Sequence, residues 1–365
     1  MAEEHAIELF SSGALADVAA VGHGGGTYVI GVDHTYQRVT GGSPHPMEKT
    51  LWRTSIREAA GGDAAAAFRK LPDATVSLAN PQSLAMAISK DSLAVIVQAN
   101  NVTSAWLYVW DIGPKRFPDA VLAGPPTLTI PLQLDVDQGS VVEIPSRDDW
   151  SSPFLPPPLW LFHPRLSVAP DTGHLLAAFN TADARAIVFE YARGGNAAAA
   201  TAKSIAYVPQ ALEPAVARSG GNTLLFFRKP TPKWSVHFHD VKLSGTFGPV
   251  ALPLEVASLE AGAIGPARPV GVVGEVFVYS ILQGAGGRIT LAAVGGSTQK
   301  PELKVLVSEN WGGPFQLRKT VALSRVPFRI SMVDDGAAGI FFALGMKGDG
   351  GGYRVECLPL SLRVA

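Results

Sequence analysis

The chain has 365 residues, 47% of them hydrophobic and 17% charged, enough apolar material for a large buried core and the wrong balance for general disorder. Its 30 Lys and Arg against 31 Asp and Glu leave a net charge of -1 with no basic run, which excludes the phosphate-neutralising surface of a nucleic-acid binder. The single cysteine, Cys357, excludes an intramolecular disulfide, a Cys-rich zinc site and an iron–sulfur cluster.

The start, Met1-Ala-Glu-Glu-His5, is acidic where a signal peptide is basic, so the sequence as written predicts a cytoplasmic protein. A leader removed upstream would make it a secreted one. No stretch approaches the roughly 20 uninterrupted apolar residues of a membrane helix, so no membrane partner is expected.

The 38 Gly and 28 Pro punctuate short runs rich in Val, Ile, Leu, Phe and Ala, an all-β pattern. In chain order, residues 6–10 form a first strand and Leu15-Ala-Asp17-Val18 starts the first repeating unit. His34 falls in a long loop, residues 51–56 form a fourth strand, and the Ala-rich run within 56–71 predicts a short surface helix. A second unit starts at Pro81, flanked by Asn80 and Gln82, turns at Ser89-Lys90-Asp91, and passes a polar loop with Asn100 and Asn101 before Trp106–Trp110. Residues 127–134 close it.

An aromatic and Pro-rich insertion, 135–162, then carries Trp150, Phe154, Trp160 and Phe162. A third unit starts at Pro164 between His163 and Arg165, with strands at 175–179, 186–191 and 204–208. Further starts are Pro214 next to Glu213, Pro266 close to Arg268, and Pro327 close to Arg329. Fourth strands are expected at 250–256 and 317–323, and the last unit ends at 355–360 with only three strands of its own.

Six such units, each near the roughly 40–50 residues of a four-stranded antiparallel blade plus insertions, predict one six-bladed β-propeller over 1–365. Residues 6–10 would supply the outer strand of the last blade and remove an exposed edge. A β-sandwich or β-helix is the competing architecture, and 303–307 is the place where an extra strand would change the count.

In a propeller the starts of the innermost strands gather around one channel mouth, which turns scattered residues into a constellation. His163 and Glu213 are the candidate acid–base pair and Arg165 the candidate anion holder; these three are the catalytic candidates. Asn80, Gln82, Trp160, Phe162, Arg268, Arg329, His34 and Asn100 are the candidate substrate-binding residues, with Arg228 and Lys229 on the same face. The insertion is expected to fold over the mouth as an aromatic flap. No cofactor is expected. Asn80, His163, Glu213 and Asp17 have the right atoms for a calcium-like cation, at diffuse spacing.

His237 and His239 share a strand face but fall on a third strand away from the axis. The Gly-rich runs 22–26 and 348–352 lack the Lys-Ser/Thr of a phosphate loop and read as turns. Because no polar pattern recurs from unit to unit, the expected partner is one mainly apolar small molecule with a carbonyl or acidic group. The protein would be its tight binder, or its lyase, cyclase, isomerase or hydrolase. The alternatives are a lectin-like propeller with sugar sites between blades, which would repeat a Trp/Tyr with Arg/Glu pattern, and a protein-interaction scaffold.

Overall fold

The computed structural model describes residues 7–12, 15–23, 26–39, 47–60, 69–70, 74–77, 81–89, 92–99, 104–113, 126–133, 161–181, 186–191, 203–208, 210–229, 250–260, 263–311, 313–334, 339–348 and 352–361. Their strands form six small antiparallel sheets.

The first sheet runs Leu15–His23, Gly26–Val39, Met47–Ala60, with Arg69–Lys70 and Ala74–Ser77 against its third strand. The second is Pro81–Ser89, Ser92–Ala99, Ser104–Asp111, Leu128–Gln133, and the third Leu161–Val168, Leu175–Thr181, Ala186–Tyr191, Lys203–Val208. The fourth is Leu212–Ser219, Asn222–Arg228 and Leu252–Glu260, edged by the short pieces Ala263–Ile264, Arg268–Pro269 and Glu275–Val276. The fifth is Val278–Gln283, Ile289–Ser297, Lys300–Ser308, Gln316–Ala322. The sixth is Arg329–Asp334, Gly339–Lys347 and Tyr353–Ser361, completed by Ile7–Ser12.

The opening strand of each sheet lies beside that of the next, and the sixth lies beside the first. Sheets therefore stand face to face around a common centre, a propeller-like arrangement. Apolar clusters fill the spaces between neighbours: Ile96 and Leu132 meet Phe179 and Phe189 between the second and third sheets, and Val333 meets Val18 and Val29 between the sixth and first. Because both faces of a sheet are covered, its middle strands are apolar on both. Seven consecutive residues from Ile289 are buried, which is why those runs lack the alternation of a one-sided sheet.

Several sequence expectations are corrected. The Ala-rich part of the expected helix, 61–68, lies outside the described residues; on either side of it residues 56–60 continue the strand Met47–Ala60 by pairing with Gly26–Ile30, and Arg69–Lys70 pair with that same strand. That strand is the third of its sheet, not the fourth, and it places His34 within Gly26–Val39, opposite Trp52, rather than in a loop. Likewise Leu252–Glu260 is a third strand, pairing directly with Asn222–Arg228. Residues 303–307 are an ordinary third strand of the fifth sheet. The insertion up to Trp160, and His237 and His239, lie outside the described residues.

Candidate functional site

The first strands of the first four sheets share a local irregularity. Each carries one extra residue near its start, where the register slips between Leu15 and Asp17, Pro81 and Ser83, Phe162 and Arg165, and Leu212 and Ala215. A bulge bends the strand, frees a residue from the ladder and re-aims its side chain. Prolines suit such places because they bring no N–H to the broken ladder, and Pro164 and Pro214 sit inside two of these slips. The residues released are Ala16, Gln82, His163 with Pro164, and Glu213 with Pro214.

Glu213 is the most constrained of them. Its φ of 49° lies in the left-handed region that a side chain with a Cβ adopts at a cost, and Gln210, at 53°, shares it. Four neighbours hold it there. Asn180 of the third sheet, a buried side chain, accepts from the Glu213 N–H at 2.5 Å and donates to the Ala211 carbonyl at 2.6 Å. The Tyr279 hydroxyl of the fifth sheet lies 2.6 Å from the Glu213 carbonyl and 2.8 Å from that of Phe226, its one proton shared between them. Arg228 donates to the Glu213 carboxylate at 2.8 Å and to the carbonyls of Phe277 and Val250 at 2.8 and 2.9 Å. Arg165 stands 4.0 Å from the other carboxylate oxygen.

Burial pushes the Tyr279 phenol well above its usual range; Arg165 pulls it down, Glu213 pushes it up, and Arg228 pulls it down, without reversing the sign. Tyr279 is therefore a neutral donor at ordinary pH, tying the fifth sheet to the fourth. From the sixth sheet Arg329 reaches the Pro164 carbonyl of the third, 3.4 Å away. Two guanidinium groups, Arg165 and Arg228, thus face the Glu213 carboxylate, and a third, Arg329, reaches the neighbouring Pro164 carbonyl.

Beneath them is a cavity of about 370 Å³ lined by the opening strands of all six sheets. Arg165, Tyr279 and Arg329 line it together with aliphatic side chains such as Val18, Ala85 and Met332. The combination of an apolar well and a few convergent polar groups suits one small ligand.

The structure brings together Arg165, Glu213 and Arg329 of the expected constellation, with Arg228. It does not bring in Arg268, which is exposed and pairs opposite Val256 at the outer edge of the fourth sheet. The reason is that Pro266 does not start an inner strand: Val270, Val273 and Val276 are buried in packing between the fourth and fifth sheets, and the inner strand begins only at Val278. Gln82, His163, Phe162 and His34 lie on strands, His163 directly before the bulged Pro164; Asn80, Asn100 and Trp160 lie outside the described residues. Sequence reading missed Asn180 and Tyr279. Tyr279 follows the true start of its strand as Arg165 follows Pro164, a signal hidden by the misplaced start. Among the described residues no three His, Cys, Asp or Glu side chains converge as a metal site, and no helix is long and apolar enough to cross a membrane.

No family model matches the chain, and no curated protein matches it. Solved structures do resemble it. A mutant of a Trypanosoma rangeli sialidase displaying trans-sialidase activity aligns with a TM-score of 0.53 at 11% identity over 98% of this chain. The chain spans only 60% of that longer protein. A protein of unknown function from Dyadobacter fermentans aligns at 0.52 and 11% identity, over 99% of this chain and 98% of its own. An endosialidase of phage phi92 aligns at 0.50 and 8% identity, over 100% of this chain and 70% of its own. At such identities the likeness is one of fold, and what it establishes is that this chain is all-β, a propeller-like arrangement of small antiparallel sheets.

Proposed function

We propose that the six sheets are six four-stranded blades of one domain, and that the chain binds, and acts on, a single anionic small molecule at the mouth of its central cavity. The supporting observation is the meeting of Arg165 and Arg329, from the third and sixth sheets, above an apolar well, with Arg228 locked onto Glu213 beside them. A carboxylate laid against two guanidinium groups gains charge-assisted hydrogen bonds, while the well takes the rest of the ligand. Glu213 is the acid–base candidate, with His163, two residues before Arg165, as its companion. The insertion 135–162 is assigned as the roof. Because two of the similar structures are a sialidase and an endosialidase, acidic sugars are the first class to try, and they join the small-organic-acid reading to the carbohydrate one.

Isothermal titration tests this with a 2-keto-3-deoxy-nononic acid and glucose as the neutral control. The acid is expected to bind and glucose not to compete with it. Arg329→Ala, which alters a partly exposed side chain, should weaken acid binding by about tenfold or more with the melting temperature nearly unchanged. Equal binding by wild type and by an Arg165→Ala, Arg329→Ala double variant would refute the assignment.

A further inference from the structure

We infer that the protein carries a second binding site, for a neutral sugar ring, in the cleft between the fourth and fifth sheets on the face opposite Arg165, Glu213 and Arg329. The cleft has a volume of about 690 Å³. Its walls come from the turn between the first two strands of the fourth sheet, the end of that sheet's third strand, the segment around Pro266, and Trp311 beyond the third strand of the fifth sheet. Those are all strand ends remote from the mouth. The site owes nothing to the anionic ligand proposed above.

Its chemistry differs from that of the mouth. Trp311 is half-buried and packs on the apolar cluster between the two sheets, and its indole Nε1 is buried with no hydrogen bond among the described residues. Around it stand Asn222, Thr223 and Ser258, uncharged donors and acceptors, and the exposed guanidinium of Arg268. An aromatic wall beside amide, hydroxyl and guanidinium groups matches a pyranose, which has one C–H face and a rim of hydroxyls. Among the described residues the lining of the cleft includes no carboxylate.

The walls are also fixed in advance. The turn before Asn222 is made by Gly220 and Gly221, both at positive φ (56° and 82°), as a tight two-residue hairpin requires. Its Gly220 N–H donates to Asp171 of the third sheet at 2.8 Å. On its other side the Gln283 amide of the fifth sheet accepts from the Arg218 N–H at 2.9 Å and donates to the Arg218 carbonyl. At Gly265 a Cβ would lie only 2.4 Å from the Ser258 hydroxyl, so the absence of a side chain there leaves room for that oxygen. Rigid walls reduce the ordering cost of binding.

The test is a titration of the full chain with methyl glycosides of glucose, galactose, mannose, fucose and N-acetylglucosamine, followed by calorimetry and indole emission. At least one glycoside should bind with a dissociation constant of about 1 mM or below. Asn222→Ala and Arg268→Ala, both at exposed positions, should each weaken it severalfold or more, and Trp311→Phe should abolish the emission change while keeping the fold. Arg329→Ala should leave this binding unchanged, which separates the second site from the first. Absence of binding by every glycoside overturns the inference, as does binding that survives the paired Asn222→Ala, Arg268→Ala variant.

Discussion

At Glu213 the backbone and the side chain are held by different sheets. The third sheet takes its N–H through Asn180, the fifth takes its carbonyl through Tyr279, and its own sheet takes the carboxylate through Arg228. A left-handed backbone at a residue with a Cβ persists only where its surroundings fix it. Asn180→Ala should therefore strand the Glu213 N–H and the Ala211 carbonyl in a buried place, and cost about 1–3 kcal/mol in a urea denaturation. Tyr279→Phe should cost a comparable amount, since two carbonyls lose their donor, and should also weaken ligand binding by loosening Glu213. A Tyr279→Phe protein as stable as the wild type and binding as tightly would show that the hydroxyl positions nothing.

The strand starts at Pro81, Pro164, Pro214 and Pro327 are legible in the sequence because proline marks where a ladder begins or is broken, and Arg165, Glu213 and Arg329 come with them. Pro266 misleads for the same reason: it too sits at a sheet edge, but at the outer edge of the fourth sheet. Residues 56–60 mislead because only the partner strand, distant in sequence, reveals the ladder. Asn180 and Tyr279 were hidden because their role exists only once a neighbouring sheet is in place. The pairing of Ile7–Ser12 with Tyr353–Ser361 carries its own expectation. Deleting residues 1–12 should expose the edge of the last sheet, lower the melting temperature and promote aggregation, and a synthetic peptide of residues 5–14 should reverse part of the loss. A deletion variant with unchanged melting would remove that strand from the closure.

Between the third and fourth sheets, Glu190 accepts from His174 at 2.7 Å and pairs with Arg218. Partial burial raises its pKa, but the contacts with Arg218 and His174 outweigh this and leave it below the ordinary value. A carboxyl depressed in the folded state contributes stability that is fully present above its unfolded pKa, about 4.3, and is lost as pH falls through the folded one. Stability should therefore drop below about pH 4, and Glu190→Gln should flatten that part of the profile; an identical slope in both proteins would place the acid sensitivity elsewhere.

Across the whole molecule, the closed cycle of neighbouring opening strands gives every sheet two packed faces and leaves one cavity at the centre. The Ala20 N–H donates to the Ser331 hydroxyl at 2.8 Å, so the last sheet is joined to the first by a hydrogen bond as well as by apolar contact. Sheets that depend on both neighbours should unfold together, and Phe342→Ala, deep between the fifth and sixth, should cost about 3–5 kcal/mol while keeping a single denaturation transition. Two separated transitions would argue for independent halves. Closure also explains why residues as far apart in sequence as Arg165 and Arg329 share one mouth, on which the functional reading depends. A crystal structure of the protein soaked with a 2-keto-3-deoxy-nononic acid tests that reading most directly: the ligand carboxylate is predicted within hydrogen-bond distance of Arg165 and Arg329, whereas an acid bound elsewhere, with both arginines uninvolved, would contradict it.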